Sequence, residues 1–375
     1  WKDVKNAYIM GHISTTYSID SLEIESVNTE KGTIQFMNAA QYTPQDTSPR
    51  ELQIFNLLEE LDIPSEWYID AQTQILYYYP PEPIDDSTEL ELITLNEPMV
   101  TFENGANLFY TMKDITFSMC RKDLMLISGT NVTVDGCTFT YSKGKQAICA
   151  GDYNTEPSYR ITGSVIAHCD GRAVTMYGNK GQTKANRIYS RFTNNYVYDI
   201  GQVSNSLGHA VVSEEGSCVE ISHNTMHYLP QGVTFGGWTT CDWKIKNNEF
   251  YDFGMNLSDV GGFYIGYTGS AIGTEVAYNF FYDYEPVNNS IGRAVQGVYF
   301  DDGACYGYVH HNIFLNGAHG AVQIGGGKYN RAIGNIMINM GRNCLETDHR
   351  IETWSNGPSI AAQTHSQSAQ MVGRV

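Results

Sequence analysis

From residue 111 onward the chain repeats itself loosely, and the looseness constrains the fold as much as the repeat does. A small or polar anchor, one variable residue and then alternating apolar and polar positions recur, as in Asn248-Glu249-Phe250-Tyr251-Asp252-Phe253. The anchors are Asp114, Gly136, Gly163, Asn195, Asn224, Asn248, Asn279, Asn312 and Asn335, at intervals of 22, 27, 32, 29, 24, 31, 33 and 23 residues. Periods in this range mark a solenoid. The irregular lengths argue against leucine-rich and ankyrin repeats, and the strand-like alternation argues against stacked helical hairpins. A β-helix satisfies both facts, with a minimal coil of about 22 residues and the excess of longer coils extruded as loops that build a binding face.

A second strand follows each anchor: AVTMYG (173–178), AVVSEE (210–215), GVTFGG (232–237), GFYIGY (262–267), GVYFDD (297–302) and AVQIGG (321–326). Aligned on one register, the second positions Val174, Val211, Val233, Phe263, Val298 and Val322 are apolar and point into a core. Third and fifth positions then face outward. The recurring Asn reads as a turn residue that satisfies backbone groups and tolerates left-handed geometry, not as a binding ladder. The expected fold class is therefore all-β, a right-handed parallel β-helix over residues 101–375.

Residues 1–100 lack the repeat and hold most of the prolines, within 44–83. Alternating segments SLEIESV (21–27) and GTIQFM (32–37) suggest a separate β-rich module. In IFNLLEELDIP (54–64) the spacing of Leu57, Leu58 and Leu61 predicts a short amphipathic helix stopped by Pro64, followed by strands around a turn at Asp70-Ala71-Gln72-Thr73.

With 41 acidic against 23 basic residues the net charge is −18, which repels phosphate backbones and anionic membranes and disfavours polyuronates. No nucleic-acid partner is expected. The eight cysteines form no Cys-x-x-Cys pair and read as buried thiols. No run of about 18 apolar residues suggests a membrane span. Neither a Gly-x-Ser-x-Gly elbow nor a phosphate loop is present, and no ordered ligand spacing supports a metal, so no cofactor is expected.

Stacked strands lie about 4.8 Å apart, so outward side chains of neighbouring coils can meet over one sugar ring. The fifth outward column reads Tyr177, Glu214, Gly236, Gly266, Asp301, Gly325 and Asp348, its glycines clearing space beside Asp301. Glycoside cleavage needs one carboxyl group to protonate the leaving oxygen and a second to attack or activate water. Glu214, three coils from Asp301, lies about 14 Å away by strand spacing, too far for direct pairing. Asp259, one coil away, is the preferred partner, although it enters its strand while Asp301 leaves the next, so pairing calls for a turn that folds Asp259 back. Asp302 stays a candidate because a bulge at the strand end can bring either Asp into the groove. His209, His319 and His349 flank outward strands, and Tyr264, Tyr299 and Trp238 offer faces on which a pyranose can stack. With Glu214 and Asp348, these residues (His349 aside) form the candidate substrate-binding set.

The segments DVGGFYIG (259–266), GVYFDDG (297–303), AVQIGGG (321–327) and LDIPSEWYIDAQTQILYYYPPE (61–82) resemble the β-helix proteins of glycoside hydrolase family 141 and their relatives. The resemblance implies that residues 1–100 form a β-domain inserted in the helix, that the chain is trimmed at both ends, and that an Asp pair falls on Asp259 and Asp301. It also implies a plant cell-wall glycan as substrate, in pectin-borne fucosides or xylan. Tyr267-Thr268 stands where the family carries Arg-Asp. A secreted, periplasmic or cell-surface location follows from that substrate class. Two other readings stay open to the sequence: a β-helix polysaccharide lyase, and a non-catalytic glycan-binding protein.

Overall fold

The chain divides into two compact units, residues 1–93 and 94–375. The computed structural model describes residues 4–43, 52–103, 108–151, 158–178, 188–203, 210–213, 216–236, 241–266, 271–287 and 292–359, without the side chains of 212–213 and 235–236.

In the first unit the strand Tyr8–Gly11 lies between Asp20–Asn28 and Leu52–Phe55, with Thr33–Phe36 at the far edge of an antiparallel sheet. Its core is small: Ala7, Ile9, Ile13, Leu22, Ile24 and Leu57. The helix expected over 54–64 does not form. Leu52–Phe55 pairs with Tyr8–Gly11, Asn56 reverses the chain at φ +58°, and a single 3-10 turn, Leu58–Glu60, follows. Sheet pairing supplies the backbone hydrogen bonds a helix would have supplied, and the Asn56 side chain fastens the turn by donating to the Asn6 carbonyl (2.8 Å) and accepting from the Ile69 N–H (2.9 Å). Leu57 is buried, but Leu58 is 50% exposed. The leucine spacing thus marks one inward residue, not a helical stripe. The hairpin Trp67–Asp70 and Ile75–Tyr78 closes where Asp70 Oδ1 accepts the Gln72 N–H (2.9 Å).

The second unit holds three long parallel sheets of ten, nine and nine strands among the described residues. The chain visits them in constant rotation: Val100–Phe102, Tyr110–Lys113 and Thr116–Cys120 open the first, second and third sheets, and each later strand adds to the sheet visited three strands before. This order is consistent with a β-helix. Inward columns run unbroken through it. Val174, Val211, Thr234, Phe263, Val298 and Val322 pair in register along the first sheet and are at most 1% exposed. The register expected for GVTFGG is one residue off: Thr234, not Val233, occupies the inward column, where its hydroxyl donates to the Gly262 carbonyl (3.1 Å). Once bonded, a buried hydroxyl costs little. Also in the core, Phe250, Phe281 and Phe314 follow one another with centroids 4.9 Å apart, the spacing of the coils, the first pair tilted and the second stacked.

Between the second and third sheets every turn has two residues, as in Lys246 to Glu249 and His310 to Ile313. The first is left-handed: Asp114, Gly136, Gly163, Asn194, His223, Asn247, Tyr278, His311 and Gly334 all have φ between +52° and +65°. The next residue in six successive coils is the Asn of the repeat, Asn195 to Asn335; its backbone is not left-handed, and it is buried in the first five. Two expectations are corrected here. The anchors Asp114, Gly136 and Gly163 align with Asn194 rather than Asn195, and the conserved geometry of the turn belongs to the residue before each Asn. Each Asn does satisfy the backbone: Asn248 Oδ1 accepts from the Asn224 N–H and Nδ2, while its Nδ2 donates to the Ile221 carbonyl and to Asn279 Oδ1, all at 2.9–3.0 Å. Because these turns never lengthen, the variable part of each coil falls at the two ends of the first-sheet strands, so that loops flank the outer face of that sheet.

Candidate active site

The outer face of the first sheet is a trough whose end column was legible in part. Phe300 pairs with Ile265 and Ile324, and Gly325 with Asp348, so Gly266, Asp301, Gly325 and Asp348 align as expected. Gly236 does not belong: it pairs with Ile265, a consequence of the Thr234 register. The space above the glycines is not open floor. A Cβ on Gly266 would lie 2.6 Å from the Tyr264 hydroxyl, and one on Gly325 would lie 2.8 Å from Arg350 Cζ and 3.0 Å from Asp301 Oδ1. Side chains from elsewhere fill both places.

Arg350 organises the result. After the strand Asn343–Asp348 the chain turns into a single helical turn, Arg350–Thr353, which carries Arg350 back over Gly325 and Gly326. Its Nε and Nη2 donate to Asp348 (2.9 and 2.6 Å), and its Nη1 donates to Asp301 Oδ1 (2.6 Å) and to the Tyr299 hydroxyl (3.4 Å), with Asp302 at 3.5 Å. Its guanidinium also lies 5.7 Å from the Trp354 ring centroid, a cation–π distance. Asp301, 6% exposed, takes two further donors: the Tyr264 hydroxyl on Oδ2 (3.0 Å) and the Asp302 N–H on Oδ1 (2.9 Å). Asp301 ends its strand in a turn closed by the Ala304 N–H (3.0 Å), with Asp302 left-handed at φ +42°. The Asp-Asp-Gly is thus a turn and also part of the polar cluster. Asp301, Asp302 and Asp348 share one guanidinium.

Asp259 reaches this cluster without the fold-back that the sequence seemed to require. It precedes the strand Val260–Ile265 with φ +64°, and Tyr299, from the next coil, reaches it instead: the Tyr299 hydroxyl donates to Asp259 Oδ1 at 3.1 Å. The chain of contacts Asp259–Tyr299–Arg350–Asp301, at 3.1, 3.4 and 2.6 Å, laid end to end sets an upper limit of about 9 Å between the two carboxyl oxygens, inside the range used by glycosidases. Asp259 is open to solvent at the rim, yet closely walled by protein. Desolvation first, then the charge of Asp301, raises its carboxyl above the usual range, against the lowering effects of the Tyr299 hydrogen bond, Arg350 and His319. Asp348 behaves oppositely: desolvation raises it, but its hydrogen bonds to Arg350 outweigh that and leave it below the usual range.

Tyr299 does not offer an open face: it is 2% exposed, and its ring packs edge to face, at 5.3 Å, on that of the half-buried Tyr264. The hydroxyls of both meet the acids. His319 is half-buried and bonds to Glu346 Oε2 (3.3 Å), which also accepts from Asn343 Nδ2 (2.9 Å). His209, Glu214, Trp238, Tyr267 and Thr268 lie outside the described residues. Reasoning from sequence missed Arg350 and Glu346. Glu346 sits at an outward position in register with Gln323, so the alternation could have found it. Arg350 leaves no signal in strand periodicity, because a helical turn and not a strand delivers it.

A cleft of about 630 Å³ lies at the corner between the third and first sheets and is lined by Asp252, Asp283, Asn316 and Asn339, among others. Two of its polar side chains are engaged with each other, Asn339 Nδ2 donating to Asn316 Oδ1 and Asn316 Nδ2 to Asp283 Oδ1, both at 2.8 Å. The paired acids with unlike surroundings are in the trough.

No family model and no curated protein matches the chain. Among solved structures, a protein named glycoside hydrolase is similar over 96% of this chain and 70% of its own, with a TM-score of 0.61 at 14% identity. At that identity the likeness establishes a shared fold, an architecture of long parallel β-sheets.

Proposed function

We propose that the trough is the active site of a glycoside hydrolase built on a right-handed parallel β-helix, with Asp259 as general acid and Asp301 as nucleophile or base. The observation that carries this reading is the Asp259–Asp301 pair itself: two carboxyl groups within about 9 Å, held in unlike surroundings. Catalytic acid pairs work when their environments push their proton affinities apart. Asp259, with its carboxyl raised, suits proton donation. Asp301 accepts only from donors, Arg350, Tyr264 and the Asp302 N–H, as an attacking or base-acting carboxylate requires. The limit of 9 Å spans both the retaining and the inverting spacings.

The name of the structurally similar protein supports a glycan substrate, and the resemblance of DVGGFYIG and GVYFDDG to family 141 proteins points to fucosides or xylan of plant cell walls, met outside the cell. A neutral sugar suits the trough better than a uronate. Asp259, Asp301, Asp302, Asp348 and Glu346 face it, while Arg350 commits its Nε, Nη1 and Nη2 to Asp348, Asp301 and Tyr299. That distribution disfavours the lyase reading, which needs a cation for the substrate carboxylate.

The test is hydrolysis of a panel of fucosides, xylans and pectic fragments by the wild type and by Asp259→Asn and Asp301→Asn. Each variant is expected to lose about 10²- to 10⁴-fold in kcat. Undiminished hydrolysis by both variants would overturn the assignment, and an unsaturated product absorbing in the ultraviolet would replace hydrolysis by elimination.

A further inference from the structure

Among the described residues Arg350 touches both acids of the aligned end column, Asp301 and Asp348, and the Tyr299 hydroxyl that donates to Asp259. We propose that Arg350 is the positioning residue of the acid pair, its guanidinium, clamped on Asp348, holding Asp301 directly and Asp259 through the Tyr299 hydroxyl. The inference rests on the catalytic reading of Asp259 and Asp301.

The geometry assigns each nitrogen a duty. Nε donates to Asp348 Oδ1 (3.0 Å) and Nη2 to Asp348 Oδ2 (2.6 Å), the two-point contact with a carboxylate that a guanidinium matches. This contact fixes the rotation of the head group. Nη1 is then aimed at Asp301 (2.6 Å) and at Tyr299 (3.4 Å) together. Tyr299 accepts from Arg350, which leaves its own proton for Asp259 Oδ1 (3.1 Å). A lysine would place a compact charge without the fork, holding Asp348 or Asp301 but not both with the same aim. The seat is prepared: Gly325 and Gly326 leave room for the guanidinium and for Cγ of Arg350, and the Trp354 ring lies 5.7 Å from the charge.

The groups facing Asp259 are Asp301, Tyr299 and Arg350, with His319 beyond. Removing Arg350 takes away a cation that favours the ionised Asp259 and frees the Tyr299 hydroxyl that does the same, so Asp259 holds its proton to higher pH. A side chain that acted on Asp259 by its charge alone would leave that titration where it was in Arg350→Lys, which keeps the charge and loses the aim.

Arg350→Met, Arg350→Lys and Tyr299→Phe separate these outcomes. For Arg350→Met a loss of about 10²-fold in kcat is expected, the scale of a misplaced catalytic group, with KM changed less than about threefold. The alkaline limb of its pH–rate profile should move upward. Arg350→Lys should recover only part of kcat, and Tyr299→Phe, which keeps the ring and cuts the link, should move the limb in the same direction by less. Carbon-13 NMR of labelled Asp carboxyls, with Asp259 assigned by its loss in Asp259→Asn, reads the same shift without any substrate. Because Tyr299→Phe keeps the core ring, it decides the matter even if Arg350→Met does not fold. An Asp259 titration that is unmoved in both Tyr299→Phe and Arg350→Lys overturns the proposal. Full hydrolysis by Asp259→Asn and Asp301→Asn overturns the catalytic reading instead, and the NMR arm tells the two failures apart.

Discussion

Asp259 and Asp348 carry the same side chain on one trough, and their surroundings move them in opposite directions. Asp259, raised by desolvation and by Asp301, binds its proton more tightly in the folded protein than in the unfolded chain. That linkage favours the fold below the usual carboxylate range and is lost as pH rises through the raised value. At neutral pH its charge is a liability, so Asp259→Asn should raise the urea midpoint at pH 7 and leave it nearly unchanged at pH 3. Asp348, lowered on balance by Arg350, contributes above the usual range and loses that contribution as pH falls, so Asp348→Asn should lower the midpoint at pH 7. The opposite ordering of the two variants would show that the carboxyl environments are misassigned. The sequence revealed the acids because outward columns follow strand alternation. It concealed what joins them, since Tyr299 acts through the reach of its ring and Arg350 arrives from a helical turn.

At the scale of the element, the two-residue turn between the second and third sheets is the most regular device in the molecule. The left-handed residue costs about 1–2 kcal/mol when it is not glycine, and the Asn that follows offsets this by bonding along the stack. Asn248→Ala would leave the Asn224 N–H and side-chain Nδ2 without the acceptor they share in a dry interior. A loss of about 3 kcal/mol in unfolding free energy is expected, from a penalty of about 1–3 kcal/mol for each orphaned group. Denaturant titration with unchanged m-value checks it, and a loss below about 1 kcal/mol would make the ladder decorative. The repeat was readable because an Asn recurs in six coils. Its alignment slipped by one in the first three coils, where Gly136 and Gly163 imitate an anchor but hold the left-handed place. Similarly, Thr234 took an inward place that polarity alone denied it. Where no repeat exists, as in residues 52–61, leucine spacing cannot tell a strand and turn from a helix.

For the whole molecule, stacked coils make stability a sum of neighbour contacts. The strands Val295–Phe300 and Arg172–Met176 are buried throughout, whereas Arg331–Ile333 and Ile336–Met340 hold no buried residue. Hydrogen exchange should therefore be faster in residues 331–340 than in 295–300 by at least tenfold, as local opening follows the number of buried apolar neighbours. Equal protection would show that the coils unfold as one block. The net charge of −18 adds long-range repulsion among the charges of the chain.

Gly325 shows how such a scaffold hosts foreign parts. A coil normally decorates its own surface, each position displaying the side chain it encodes. Here one position displays nothing and lodges the head group of a residue 25 places later in the chain. A single added methyl would close that berth, so the backbone of one coil acts as the landlord of another's chemistry. In a solenoid, then, the vacant letters of the repeat deserve reading as addresses for visiting side chains before they are read as room for a ligand.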